Sequence, residues 1–193
     1  MKYTQIPTNA FQTMQMNAGV LATAFTPATG TLDSSAILGA TTGGISISIV
    51  PEFADMGEDI DNCPKNMMEL KKITDYTVTA TGTFVTATAA VAEKLVAAAN
   101  ATTTSGMTTI TPSLDLTDDD FGDIWFIGDY SDVNTGANAG FMAVHILNAL
   151  STGGFAIQTT DQGKGQFAFE FTGHFSLEAQ DTVPAEIYVK AGT

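Results

Sequence analysis

The chain contains no arginine, and all seven of its cationic residues are lysines. Asp and Glu total 21, so the formal net charge is -14 at pH 7. Proteins that bind nucleic acids use clustered Lys and Arg to neutralise phosphates, and this chain lacks such clusters. Binding of DNA by attraction is therefore close to excluded, whereas repulsion of DNA is compatible with the charge. Most individual carboxylates are accounted for by solubility alone.

Cysteine and long apolar runs are also scarce. The single cysteine, Cys63, excludes an internal disulfide and has no sequence neighbour that suggests a metal site or a nucleophile. The N-terminal residues lack the charged and apolar regions of a signal peptide. The longest mostly apolar stretch, residues 139–150, is too short to span a bilayer. The expectation is a soluble protein made in the cytoplasm.

Motifs that carry chemistry are missing from the sequence. The two histidines, His145 and His174, fall in different predicted strands and begin no metal-binding pattern, so satisfied polar side chains are the better interpretation. The acidic runs at residues 58–62 and 118–123 lack the Gly and terminal Glu of an EF-hand, which favours solvated turns over a weak surface cation site. No phosphate-binding glycine motif or nucleophile elbow occurs. We therefore predict no catalytic, cofactor-binding or metal-binding residue, and no enzyme.

The residues that are abundant favour strands. Charged residues make up only 15% of the chain, against roughly 25% in an average soluble protein, and Thr, Ser, Ala and Gly fill the gap. Residues 44–50 alternate apolar and polar side chains, and residues 68–84 do so again. The connection at residues 51–66 is long for neighbouring strands, which marks a functional loop. Residues 86–100 follow as a helix with Thr86 as a candidate cap.

The second half of the chain also indicates strands. Residues 123–130 and 141–150 are apolar on both faces, which is typical of strands covered on both sides. Residues 166–176 place phenylalanines on one face and polar side chains on the other. Residues 101–106 are expected to be a linker. About eight strands and one helix predict a mainly β fold, a sandwich or barrel with a helix over one end.

The first 30 residues show no clean periodicity and are predicted to be an arm that precedes a single β domain at residues 31–193. The arm carries too many large apolar side chains to stay in water, so we expect it to lie on a neighbouring subunit rather than on its own domain. The side chains expected to make that contact are Phe11, Met14, Met16, Val20 and Leu21. Strands covered on both faces in so small a chain, and edges that need partners, further indicate closed rings of identical subunits.

Five stretches of the chain form a recognisable set: residues 39–46 (GATTGGIS), 51–62 (PEFADMGEDIDN), 69–72 (ELKK), the helix at 87–99 and residues 169–174 (FEFTGH). In these stretches the sequence resembles the major tail tube proteins of long-tailed bacteriophages and prophages. The order of elements matches over nearly the whole chain, including the arm before the first strand. Each of these pieces is a structural pattern rather than a catalytic signature.

The resemblance implies a β-sandwich or split-barrel subunit that forms hexameric rings, which stack into a hollow tube for passage of the genome. The long loop would stack rings, and its candidate residues are Glu52, Phe53, Asp55, Met56, Glu58, Asp59, Ile60 and Asp61. The lumen candidates are Thr77, Thr79, Thr81, Glu170 and Thr172. The implied partners are further copies of the chain and the tape measure, tail terminator and distal tail or baseplate proteins. The implied location is the virion tail, with assembly in the host cytoplasm and no membrane contact.

Three alternatives stay open. A monomeric extracellular β-sandwich binding module with an acidic cation-binding loop would also suit the composition, although the missing secretion signal weighs against it. The related tube of a contractile or secretion apparatus differs only in whether a sheath surrounds it. An enzyme would need a site that no motif marks.

Overall fold

A computed structural model describes residues 6–8, 10, 14–15, 17–130 and 139–191. Over these ranges the chain forms ten strands, one α-helix and three short 3-10 turns, and the fold is a mainly β sandwich with one helix. The strands are β1 (Val20–Ala22), β2 (Thr41–Asp55), β3 (Lys71–Phe84), β4 (Ala99–Thr104), β5 (Met107–Pro112), β6 (Gly122–Asp129), β7 (Phe141–Ser151), β8 (Ala156–Gln158), β9 (Gln166–Gly173) and β10 (Ala185–Lys190). The helix α1 spans Ala89–Val96.

Eight of the strands form one antiparallel sheet that turns a corner at β7. The strand order is β1-β6-β7-β9-β3-β2, with β10 added to β7 and β8 added to β9. Residues 141–146 of β7 pair with β10, whereas residues 149–151 pair with β9. The corner therefore divides the sheet into two halves, β1-β6-β7-β10 and β8-β9-β3-β2, which can face each other as the two layers of a sandwich.

The core lies between these two halves and under the helix. It combines Leu21 of β1, Ile124 of β6 and Ile146 of β7 with Val78 and Phe84 of β3. The helix closes the core with two side chains one turn apart, because Val91 and Leu95 are both buried. The rings of Phe84 and Phe169 lie 4.4 Å apart between their centroids.

The outer face of the β1-β6-β7-β10 half is covered as well. A second apolar cluster contains Trp125, Phe141 and Ala143, and it is covered by Phe25 and other side chains that follow β1. The Phe25 ring makes edge contacts with both Trp125 and Phe141, at centroid distances of 5.7 and 5.2 Å. The prediction that β6 and β7 are apolar on both faces because both faces are covered is confirmed.

The same cluster corrects the predicted arm. Val20–Ala22 pairs with β6 of its own domain, and Leu21 is 0% exposed inside its own core. Leu21 is therefore buried in its own domain and the expectation that it contacts a neighbour was wrong, whereas Val20 is half-buried against the second apolar cluster of its own chain. Met14 is 48% exposed. Phe11 and Met16 lie outside the described residues.

The long loop also begins later than predicted. Strand β2 continues through Pro51 as far as Asp55, so Glu52, Phe53 and Asp55 are strand residues. Proline lacks an N–H and is tolerated in a strand that has a partner on one side only, as β2 does at the end of the strand order. The loop itself comprises residues 56–70, which we call the hairpin tip.

Two further expectations about the middle of the chain were wrong. The helix begins after Thr88, whose side chain accepts a hydrogen bond from the Val91 N–H, and it ends at Ala97 with a φ of 73°. Thr86, the predicted cap, instead accepts a hydrogen bond from the Ala40 N–H at 2.9 Å. The predicted linker at residues 101–106 is part of the β4–β5 hairpin, which forms a separate two-stranded sheet.

Candidate functional site

The predicted lumen residues share one face of three neighbouring strands. Thr79 stands opposite Thr172 of β9 and Ser48 of β2, and Thr81 stands opposite Glu170 and Ser46. Residues opposite each other in antiparallel strands point to the same side of the sheet. We call this surface the hydroxyl face; it consists of Ser46, Ser48, Val50, Glu52, Asp75, Thr77, Thr79, Thr81, Thr83, Ala168, Glu170 and Thr172.

The other side of the same strands faces the core, which explains why the pattern alternates. Ala80 stands opposite Ile47 of β2 and Phe171 of β9, and Val78 stands opposite Ile49. Val78, Ala80 and Phe171 are buried. A shift of one residue in this pairing would turn the apolar set toward water, so the hydrophobic pattern fixes which side carries the hydroxyl groups.

Hydrogen bonds fix one corner of the hydroxyl face. Thr152, just beyond β7, donates to Glu170 Oε1 at 3.1 Å, and its hydroxyl lies 2.8 Å from the Thr172 hydroxyl. The sequence did not predict Thr152 as part of this face, because it reaches Thr172 only through the β7–β9 corner.

The charged groups on the hydroxyl face are all carboxylates. Glu52 and Asp75 stand opposite each other at one end, and Glu170 lies toward the other. Residues 46–52, 75–83 and 168–172 contain no lysine. Like charges that stand opposite each other on neighbouring strands are destabilising, so Glu52 and Asp75 lower the stability of the folded sheet. The face is therefore polar and anionic.

The hairpin tip combines exposed apolar side chains with acidic ones. Met56 and Ile60 are each more than half exposed, as is Phe53 at the end of β2, and Met68 is exposed by 81%. Glu58, Asp59 and Asp61 are exposed beside them. The Lys71 ammonium lies over the Phe53 ring, 4.9 Å from its centroid. Large apolar side chains clustered on a protruding segment are typical of a contact surface.

A single carboxylate holds the two ends of the hairpin tip together. Asp55 Oδ1 accepts a hydrogen bond from the Gly57 N–H at 3.0 Å, and Oδ2 accepts one from the Asn66 N–H at 2.8 Å. These two bonds, that from Asn66 first, lower the pKa of Asp55 because they favour its ionised form. The tip is thus tied at its base by a charged group that is partly exposed.

We expect the order of the hairpin tip to depend on this charge. Because the pKa of Asp55 is lowered in the folded state, its stabilisation is complete above the ordinary value of about 3.9 and is lost as the pH falls through the folded pKa. Asp55→Asn should reduce the hydrogen-exchange protection of the Gly57 and Asn66 amides at neutral pH. Asp59→Asn, in the same tip, is the control; equal losses in both variants would contradict the role of Asp55.

Two strands of the β8-β9-β3-β2 half have open edges. Among the described residues, β2 pairs only with β3, and β8 pairs only with β9. An exposed edge presents unpaired backbone N–H and C=O groups, which another strand can pair with. The hydroxyl face therefore lies on a part of the sheet that can be extended at both ends.

A histidine cluster on the other half of the sheet was not predicted. The His145 ring stacks on Trp125, with centroids 3.9 Å apart, and its nitrogens lie 3.0 Å from Asp123 Oδ2 and 3.4 Å from Glu186 Oε2. Hydrogen bonds from Tyr188 and then from His145 lower the pKa of Glu186. The prediction that the histidines are satisfied polar side chains is confirmed, since the His174 ring also bonds the Asn148 carbonyl.

The predicted acidic turn is a 3-10 turn at Asp118–Asp120. Its last carboxylate accepts hydrogen bonds from the backbone N–H and the hydroxyl of Thr117, which caps the turn. Within the ranges that the structure describes, no group of three or more acidic, His or Cys side chains is arranged to hold a metal ion. No helix among the described residues has the length and apolar character needed to cross a membrane.

No protein-family model matches the chain, and no curated protein matches it either. The function is therefore inferred from the surfaces described above.

Proposed function

We propose that this chain is a structural subunit that assembles into stacked rings, with hexamers the expected order, to form the tail tube of a long-tailed phage or prophage. DNA would pass through the tube into the host. The observation that carries the proposal is the hydroxyl face, a mainly polar and anionic surface on three strands whose opposite side is the core.

The chemistry of the hydroxyl face suits a wall that DNA slides past. Each Lys or Arg that contacts a phosphate adds attraction and would slow passage. Ser and Thr hydroxyl groups hold water, while Glu52, Asp75 and Glu170 repel phosphates. A wall of this kind keeps the duplex in water and releases it freely.

The open edges provide a way to close the ring. The free edge of β2 in one subunit would pair with the next subunit at or near the free edge of β8. The sheets would then continue from subunit to subunit. Because this pairing covers the edges of β2 and β8, it also lowers the risk of uncontrolled aggregation at those two strands. The hydroxyl faces of all subunits would then line one lumen.

The hairpin tip would contact the next ring. It protrudes from the ends of β2 and β3, it exposes Met56, Ile60 and Met68, and Asp55 ties it at its base. In this proposal the partners beyond further copies are a tape measure, a tail terminator and distal tail or baseplate proteins. The location is the virion tail after assembly in the host cytoplasm.

Negative-stain electron microscopy of the purified chain at rising concentration tests the proposal. We expect rings with a central hole, or hollow tubes, to appear as the concentration rises. Removal of residues 56–66 should leave rings but abolish their stacking, and tubes of normal length in that variant would contradict the stacking role. A chain that stays compact and shows a calcium-dependent rise in melting temperature would instead support the cation-binding module.

A further inference from the structure

An uncharged surface lies on the side of the sandwich that carries the helix. It consists of the β4–β5 hairpin together with Phe155 and Ile157, and we call it the neutral patch. Between the hairpin, α1 and Phe155 lies an open cavity of about 570 Å³, lined by Ala92, Val96, Ile110, Pro112 and Phe155. Phe155 is 45% exposed and Ile157 56% exposed, and Met107 at the end of the hairpin is 68% exposed.

The hairpin in this patch has little protection against pairing with another strand, because Pro112 is its only edge-blocking residue. Among the described residues, β4 and β5 pair only with each other, so each keeps an open edge. Edges are usually blunted by lysine, by other charges or by a covering segment. Here the paired residues are Thr, Ala, Asn, Ile and Met, with Pro112 at the base of the hairpin. A two-stranded hairpin of this kind is also marginally stable on its own.

The charge distribution indicates what covers the patch. Residues 95–114 contain no charged side chain, and residues 139–160 contain only His145 as a titratable group. Two copies of a chain with net charge -14 repel each other over most of their surface. The repulsion is smallest where neither copy carries carboxylates. A contact between copies therefore meets its smallest electrostatic cost at the neutral patch.

We propose that the neutral patch is a contact surface for a second copy of this chain, with the β4–β5 hairpin at its centre. This inference rests on the self-assembly of the proposed function but concerns a different surface from the hydroxyl face and the hairpin tip. The second copy covers the open hairpin edges and the apolar side chains around the cavity. The contact excludes water, so a charge of either sign buried in it would weaken the association of the two copies.

Substitution of Thr109 tests the inference, because Thr109 lies exposed on β5 opposite Thr102. Thr109→Lys and Thr109→Asp should each weaken self-association about tenfold or more in sedimentation velocity, since a buried unpaired charge is costly in either sign. Thr182→Lys and Thr182→Asp, in an exposed turn, are the matched controls. There a change in net charge alone should act in opposite directions, with Lys strengthening and Asp weakening the association. Far-UV circular dichroism checks that each variant is folded.

Several results would overturn the inference. One is that the two Thr109 variants shift association in opposite directions, as the controls do; another is that they match the wild type. A wild-type chain that stays monomeric at every concentration would overturn it as well. Met107→Asp provides a second measurement at the exposed end of the hairpin and should weaken association like Thr109→Asp.

The experiment separates this inference from the proposed function. If wild-type rings form and the Thr109 variants form them equally well, the neutral patch is not a contact surface between copies, while the tube proposal stands. If the wild type forms only small particles without a central hole, and both Thr109 variants dissociate them, the neutral patch is supported while the tube proposal fails.

Discussion

Lysines placed on the hydroxyl face should turn an anionic surface into one that retains DNA. The triple variant Glu52→Lys, Thr79→Lys and Glu170→Lys replaces two carboxylates and one hydroxyl by ammonium groups on a single face. In assembled particles these groups would line the lumen in every subunit and contact phosphates. We expect short duplex DNA to bind the assembled variant at low salt and to be released as salt rises, with a log–log slope of roughly -0.9 for each phosphate contacted.

The control for this prediction makes the same change in charge elsewhere. Asp115→Lys, Asp119→Lys and Thr182→Lys also replace two carboxylates and one hydroxyl, at exposed positions outside the hydroxyl face. Fluorescence anisotropy of labelled duplex should show binding by the face variant at least about tenfold tighter than by the control variant, because a ring of subunits would hold many lysines around one duplex. Equal binding by the two variants would mean that DNA binding depends only on net charge, and it would contradict the proposal that the hydroxyl face lines the lumen.

Leu21→Ala should destabilise the isolated subunit strongly. Leu21 is 0% exposed in the core, packed with residues of β3, β6 and α1. Truncation of a buried leucine leaves a cavity and costs about 2–5 kcal/mol. In a chain of this size, each kcal/mol lowers the melting temperature by about 2–4 °C. Denaturant unfolding at low protein concentration, where copies are separated, measures the change directly.

Leu114→Ala is the matched control for Leu21→Ala. Leu114 is fully exposed, so the same truncation there should change the free energy of unfolding by about 0.5 kcal/mol or less. If Leu21→Ala were as mild as Leu114→Ala in the dilute subunit and harmful only in the assembly, the first strand would belong to a neighbour after all. The correction made above to the predicted arm would then be contradicted.

Most strands and the hydroxyl face could be predicted from the sequence because their signals are local. Thr77, Thr79 and Thr81 alternate with buried Val78 and Ala80, and a period of two is visible without knowledge of the partner strands. The apolar stretches of β6 and β7 likewise indicated strands covered on both sides.

Elements whose limits depend on neighbours could not be predicted. Pro51 was expected to end β2, and it is tolerated because β2 lies at the edge of the sheet. Residues 101–106, most of β4 and the turn after it, were expected to be a linker, although Ser105 and Gly106, with φ angles of 51° and 82°, are a turn signal between two threonine runs. Val20–Ala22 was assigned to a neighbour because three residues show too little pattern to reveal pairing with β6.

The side-chain clusters were beyond sequence reasoning for the same reason. Asp123 and Glu186 are 22 and 41 residues away from His145, and only the pairing of β6 and β10 with β7 brings them together. Thr152 reaches Thr172 only because the sheet turns at β7. Contacts of this kind follow from topology, which no single stretch of the sequence contains.

A reconstruction by cryo-electron microscopy of the assembled particles tests the central claim most directly. The account predicts a hollow ring or tube in which Thr79, Thr81 and Glu170 of every subunit face the central channel and no lysine lines the channel beside them. A particle in which these side chains face outward, or are buried between subunits while another surface lines the channel, would contradict it.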